Sequence, residues 1–377
     1  MIMSTYSVDF NKGIMNEGDI SRLLATMKKA LAGGKLTVGF LGGSITQGSL
    51  SSTPELCYAY RVYEWWTKKF PKAEFTYVNA GIGGTTSQFG VARVQDDLLQ
   101  YAPDFTIIEF SVNDENTEHF KETYEGLVRK VYSDEHMPAM VLVHNIMYNN
   151  GYSAEDMHLQ IGKAYNLPCV SMKSSVYPMV VDGTIKNAEI TPDDLHPNDA
   201  GHELLAGLIT NFLEKVYEKA VAGVEPGVIS TELPKALTAN EYQFSTRYQN
   251  HNSNPVMKGF EADPTVQNHI TETFRKGFTA WKEGDSITFE IEGTGVAVQY
   301  RKSVPKPTPI AKVVVDGDEA NGVLLDGNFD EDWGDCIYID TVTKHTENKV
   351  HTVEVKIVEA HEDDVVPFYL VSVIGSK

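Results

Sequence analysis

Cysteine is scarce in this chain. Three occur, Cys57, Cys169 and Cys336, far apart and with no C-x-x-C pair. An odd, scattered set argues against a disulfide framework and offers no zinc-ligand spacing. Long apolar runs are also missing, since none approaches the roughly 20 residues needed to cross a bilayer. Positive charge is in short supply, with 32 Lys and Arg against 52 Asp and Glu, for a formal net charge of −20. Nucleic acid and anionic membrane both need basic patches, so neither is expected as a partner. No G-K-[ST] phosphate loop and no complete G-x-G-x-x-G occurs, which argues against nucleotide chemistry. The amino terminus, MIMSTYSVDFNKGIMNEGD, lacks a basic region followed by an apolar stretch, so a cytoplasmic location is expected.

What the chain does have is a division of texture. Its 377 residues are enough for two domains, and 42% of them are hydrophobic, enough to build two cores. Through about residue 220, strand-like and helix-like segments alternate. Asp19 precedes a helix whose apolar positions are Ile20, Leu23, Leu24, Met27 and Leu31. Strands are expected at KLTVGFLG (35–42), EFTYVNA (74–80), DFTIIEFSV (104–112), AMVLVHNI (139–146) and PCVSM (168–172). Helices are expected at 58–69, 120–132 and 200–220. Such alternation implies a parallel sheet covered on both faces, with ligands at the carboxyl ends of the strands. Residues 223–238 hold two Pro and two Gly with no period, and read as a linker. From 239 to 377 the runs SITFEIEG, GVAVQYRK, IAKVVVDG, VHTVEVKIV and FYLVSVIG are short and separated by turn residues, the pattern of an all-β sandwich.

The strand ends carry the chemistry. After the first comes Gly42-Gly43-Ser44, where two glycines allow a sharp turn that presents a hydroxyl. It is not the G-x-S-x-G elbow, because Thr46 stands at the last position. After the second comes Gly81-Ile82-Gly83-Gly84, whose N–H groups can face an anion. After the third comes Ser111-Val112-Asn113-Asp114, and near the end of the domain Asp193-Asp194-Leu195-His196. Singly, each has an ordinary reading: a tight turn, a helix cap, a solvated Asp–His pair. Together they supply a nucleophile, a base, a carboxylate to orient it and donors for an oxyanion, the parts that acyl transfer requires. His196 has no His or Cys partner at ligand spacing, so neither metal nor cofactor is expected.

The set Gly42-Gly43-Ser44, Gly84, Asn113 and Asp193-x-x-His196 resembles the four sequence blocks of the SGNH (GDSL-like) hydrolases, over roughly residues 35–215. One block departs: the name-giving G-D-S is Gly-Gly-Ser here. The resemblance implies a three-layer α/β/α flavodoxin-like domain over 1–222, followed by the sandwich, jelly-roll-like, at 239–377. It implies Ser44 as nucleophile, His196 as base and Asp193 as its partner. Ser44, Gly84 and Asn113 would form the oxyanion hole.

Fold and triad do not choose the ester. The arrangement of two domains without an export signal is similar to carbohydrate esterase family 17, which implies removal of acetyl groups from acetylated mannan oligosaccharides, notably 2-O-acetyl mannose. Under that reading Trp333, in GNFDEDWGD, lines the sugar from the sandwich, and Asp114 is a second substrate contact. Core or edge packing is an equal reading of Trp333; Trp65 and Trp66, on an expected helix, read as core. Other readings are an SGNH esterase acting on lipid or acyl-thioester, and a carbohydrate-binding protein without turnover. The polar residues after the motifs (Ser49, Ser51, Ser52, Asn116, Thr117) do not suit a lipase collar. Self-association is common among such enzymes, and the sequence locates no interface for a homo-oligomer.

Overall fold

The computed structural model describes residues 6–377; the first five residues of the amino-terminal stretch read for a leader lie outside them. The chain divides into two compact units, residues 1–240 and 241–377.

The first unit is built on a six-stranded sheet. Its strands are β1 (Ile14–Asn16), β2 (Lys35–Gly42), β3 (Glu74–Gly81), β4 (Phe105–Glu109), β5 (Ala139–His144) and β6 (Cys169–Ser171), in the order β1-β6-β5-β4-β2-β3. All neighbours are parallel except β1, which pairs antiparallel with β6. β4 and β5 are buried at every position, as strands covered on both faces must be. One face packs on α1 (Ser21–Leu31), on α3 (Tyr58–Lys69) and on the closing helix (Asp199–Val221), around Phe40, Trp66, Phe105, Val141, Leu205 and Phe212. The other face carries α4 (Ser87–Asp97), α5 (Glu118–Tyr132) and α6 (Glu155–Ala164), with Phe89, Leu127 and Ile161 buried. This is the expected α/β/α layering.

The antiparallel edge β1 was not foreseen; three residues carry too little pattern to mark a strand. Neither was α4, whose sequence SQFGVARVQDD mixes polar residues into positions that are buried. Asp19 accepts a hydrogen bond from Ser21 N (2.8 Å) at the start of α1, although the residue in the cap position is Ile20. The segment read as a linker lies against the first unit. Arg22 donates to Ser230 O, Arg129 to Pro234 O, and Glu125 accepts from the N–H groups of Leu237 and Thr238.

The second unit is a sandwich of two antiparallel sheets. One runs Cys336–Thr343, Gly295–Lys302, Phe368–Ser376, Phe278–Ala280 and Glu261–Ala262, with Thr246–Tyr248 also paired to Phe368–Ser376. The other runs Val323–Asp326, Ile310–Val315, Lys349–Glu359, Ser286–Gly293 and Val256–Lys258. Their inner faces share one core, including Phe278, Phe289, Val298, Val313, Val355 and Leu370. Lys349–Glu359 shows the period of two plainly: His351, Val353, Val355 and Ile357 are buried and the residues between them face outward.

Candidate active site

Three strand ends and one loop converge in the first unit. β2 ends at Gly42, and Ser44 opens a one-turn helix, α2 (Ser44–Gln47). As first residue of that turn, Ser44 has an N–H with no partner inside the helix. Its Oγ lies 2.8 Å from His196 Nε2, and His196 Nδ1 lies 2.6 Å from Asp193 Oδ2. A hydroxyl, an imidazole and a carboxylate thus form one continuous relay. Ser44 is only 7% exposed, which strengthens the polar contacts around it.

The short Asp-x-x-His spacing works because the loop folds back on its own carboxylate. Asp193 Oδ1 accepts from His196 N (2.7 Å), Leu195 N (3.1 Å) and the Thr191 hydroxyl (3.2 Å). Burial pushes the Asp193 carboxyl up, but the hydrogen bonds from the His196 ring and from the backbone of His196 and Leu195 outweigh it and hold it below its usual range. Asp194 takes the left-handed conformation, φ +65°, and its carbonyl accepts from Tyr148 N (2.7 Å). Immediately beyond, Asn198 caps the closing helix through Ala200 N (3.0 Å) and Gly201 N (3.1 Å). Asp199 takes both Ser52 N and Ser52 Oγ at 2.7 Å, tying the loop after the nucleophile to the helix after the histidine. His202 bridges the same regions, accepting from Tyr58 N (3.2 Å) and reaching Ser49 O (3.2 Å); burial lowers it to about 4, so it stays neutral.

The glycine run after β3 separates by its hydrogen bonds. Gly81 N donates to Asn79 Oδ1 (2.9 Å) and Gly83 N to Gln47 Oε1 (2.7 Å). Gly84 N has no partner among the described residues, and Gly84 sits at φ +67°, where a side chain is strained. Of the three, Gly84 is therefore the one with a free donor. Asn113 stands in the turn after β4, where its own N–H bonds Phe110 O (3.0 Å). Its amide nitrogen bonds nothing among the described residues. A Cβ on Gly43 would come within 2.3 Å of Asn113 Oδ1, so the Gly-Gly-Ser departure from G-D-S is matched by close packing of Asn113.

Asp114 requires a correction. The sequence offers it as a substrate contact, but it is fully buried, with Oδ1 accepting from Ser87 N (2.8 Å) and Oδ2 paired with His158 Nε2 (3.0 Å). Neither oxygen is left for a ligand. Trp333 lies in the second unit and is 58% exposed, so it is not core. Its indole N–H donates to Glu331 (2.5 Å) and its ring packs edge-on against Phe329, at 5.1 Å between centroids. Lys302 Nζ sits 4.6 Å over the half-exposed ring of nearby Tyr338. Trp66 is fully buried, whereas Trp65 is half-buried and bonds Glu214 (3.1 Å).

Sequence reasoning missed several groups at this site. Thr191 steadies Asp193, Gln47 occupies Gly83 N, and Arg93 and Glu109 lie buried beside Gly42. Burial pushes the Glu109 carboxyl up to about 7 against hydrogen bonds from Asn145 and Ser111. None of the four belongs to a pattern that one sequence reveals.

Residues 40–204 match the model of the GDSL-like Lipase/Acylhydrolase family. Among solved structures, a two-domain esterase active on acetylated mannans, co-crystallised with mannopentaose, is 59% identical over 99% of this chain and 99% of its own, with a TM-score of 0.94. A second structure described as a two-domain esterase active on acetylated mannans is 60% identical over 98% of this chain and 99% of its own, also with a TM-score of 0.94. No curated protein matches. No helix among the described residues is long and apolar enough to cross a membrane.

Proposed function

The chain belongs to the GDSL-like lipase/acylhydrolase family and is a carboxylic ester hydrolase, and on that premise we propose that it removes O-acetyl groups from acetylated mannan oligosaccharides, the axial 2-O-acetyl of mannose above all. The observation that carries the substrate is the 59% identity, across both units, to an esterase active on acetylated mannans. The relay Ser44–His196–Asp193 supports the mechanism.

Ser44 Oγ attacks the acetyl carbonyl while His196 Nε2 takes its proton. Asp193 holds Nδ1–H and stabilises the imidazolium that forms. The carbonyl oxygen gains negative charge as the tetrahedral intermediate forms. The N–H groups of Ser44 and Gly84 and the amide of Asn113 are the donors for it. Collapse breaks the bond to the sugar oxygen, which leaves as a hydroxyl with the proton from His196. Water, activated by the same imidazole, attacks the acetyl-enzyme and releases acetate. The second unit serves recognition, with Trp333 stacking on a sugar ring beside Glu331. The cell interior remains our expectation for where this happens.

The test is acetate release from acetylated mannan, xylan and chitin oligosaccharides, with Ser44→Ala as control. Serine-dependent release from the mannan set is expected. Release from another sugar replaces the substrate and keeps the mechanism. Release from none, with p-nitrophenyl esters of eight or more carbons preferred, moves the activity to lipid or thioester substrates.

A further inference from the structure

The three oxyanion donors come from three different strand ends, and the sheet cannot set their spacing. The β2–β3 ladder ends at Gly42 opposite Gly81, and the β2–β4 ladder ends at Gly42 opposite Glu109. Ser44, Gly84 and Asn113 all lie beyond those last pairs. Two fully buried charged side chains bridge the gap instead.

Arg93, on α4, donates from one nitrogen to Ala80 O (2.8 Å) and from another to Gly42 O (3.0 Å). One planar fork therefore spans the ends of β3 and β2, upstream of Gly84 and Ser44. Asp97, one turn along α4 at 3.0 Å, is its acidic partner. Asp114 does the corresponding work on the other side. It follows Asn113 directly and caps Ser87 N at the start of α4, three residues after Gly84. Its second oxygen is held by His158, whose ring stacks on Tyr124 at 3.6 Å and 6°. Arg93 locks β2 to β3 and α4; Asp114 locks α4 to the turn after β4. The two clamps share one helix and close a triangle around the three donors.

Burying ions for stability alone is a poor bargain, because apolar residues of similar volume serve as well or better. We propose that Arg93 and Asp114 are positioning residues that hold the N–H groups of Ser44 and Gly84 and the amide of Asn113 at the spacing an oxyanion requires. The inference rests on the esterase reading above. Neither residue touches substrate; each acts through the donors it places.

The experiment uses the full chain carrying Arg93→Met, Arg93→Lys or Asp114→Asn, with p-nitrophenyl acetate as substrate. Competent sites are counted by exhaustive labelling of Ser44 with an arylphosphonate, and unfolding is followed by heat. In Arg93→Met and Asp114→Asn, kcat per competent site is expected to fall about 100-fold with little change in KM, the cost of roughly 1 Å of misplacement. Arg93→Lys should recover part of the loss. Because Asp114 acts through Asn113, Asp114→Asn should cost far less in an Asn113→Ala background than alone. Unchanged kcat per competent site alongside lowered thermal stability overturns the proposal, as do losses that multiply fully. If Arg93→Met or Asp114→Asn does not fold, Arg93→Lys decides by the same kcat-against-KM criterion. Turnover by Ser44→Ala near that of the wild type would remove Ser44 as nucleophile, and with it the oxyanion site that Arg93 and Asp114 are proposed to hold. Loss of turnover in Ser44→Ala with unchanged kcat in the Arg93 and Asp114 variants overturns the positioning proposal alone.

Discussion

The two units differ in how much charge they bury and where. The first buries Arg93, Glu109 and Asp114 completely at or near the carboxyl ends of its strands, with His144 and His158 beside them, and buries Glu125 beneath Leu237 and Thr238. Among the described residues of the second, no Asp, Glu, Lys or Arg is buried as a whole residue, and Asp364, on a loop before the last strand, encloses its side chain at 2% exposure. Its core is the apolar half of alternating strands, and its polar half faces water. Buried charge costs several kcal/mol per ion unless geometry is excellent, so it accumulates where position matters more than stability. An aromatic ring on a sandwich surface faces no such demand, because stacking tolerates small displacements that acyl transfer does not. Under the proposed function, the difference separates a unit that performs the chemistry from one that serves recognition.

The largest effects should break the first unit's chemistry and leave its fold alone. Ser44→Ala removes only a hydroxyl, and kcat on p-nitrophenyl acetate should fall by about 10⁶-fold with the thermal midpoint unchanged. Activity near that of the wild type would remove Ser44 as nucleophile. Asn113→Ala comes next. Losing one preorganised oxyanion donor costs about 10²–10³ in kcat, with little change in KM. An equal loss in binding would mean that Asn113 holds the ground state.

The order of these effects parallels what was legible in the sequence. The strand Lys35–Gly42 stands as read, because a run that is apolar apart from Lys35 and Thr37 lies between the glycine pairs 33–34 and 42–43. The motifs around Ser44, Gly84, Asn113, Asp193 and His196 stand out only as a set that resembles the SGNH blocks; singly, each has an ordinary reading. Asp114 was misread for a physical reason: adjacent residues on a turn point in different directions, and only coordinates tell which faces out. Arg93 was invisible because its partners are backbone carbonyls, which leave no trace in sequence. The same holds for Thr191, whose hydroxyl matters only through the bend of the loop.

Glu109 tests whether the buried charge of the first unit really costs stability. Burial raises its carboxyl from 4.5 to about 7. The folded chain then keeps a proton that the unfolded chain releases. Its contribution is therefore harmless below about pH 4.5, grows as pH rises and is complete above pH 7, worth about 3 kcal/mol. Glu109→Gln cannot ionise. The variant should match the wild type in denaturant titrations at pH 4.5 and exceed it at pH 8.5 by up to about 3 kcal/mol. An equal gap at both pH values would mean that ionisation is not what the site resists.

The smallest expected effect belongs to the second unit and sharpens the contrast most. Trp333 is 58% exposed, and the second unit's core does not depend on it. Trp333→Ala should therefore leave the thermal midpoint and kcat on p-nitrophenyl acetate unchanged. With acetylated mannan oligosaccharide, KM should rise about tenfold, or roughly 1.4 kcal/mol, the scale of one lost aromatic stacking contact. A fall in kcat on both substrates would place Trp333 in the chemistry and erase the division between the units. An unchanged KM on the oligosaccharide would assign recognition to the first unit alone, and Trp333, with Glu331 and Phe329 around it, would then be a surface brace rather than a platform for sugar.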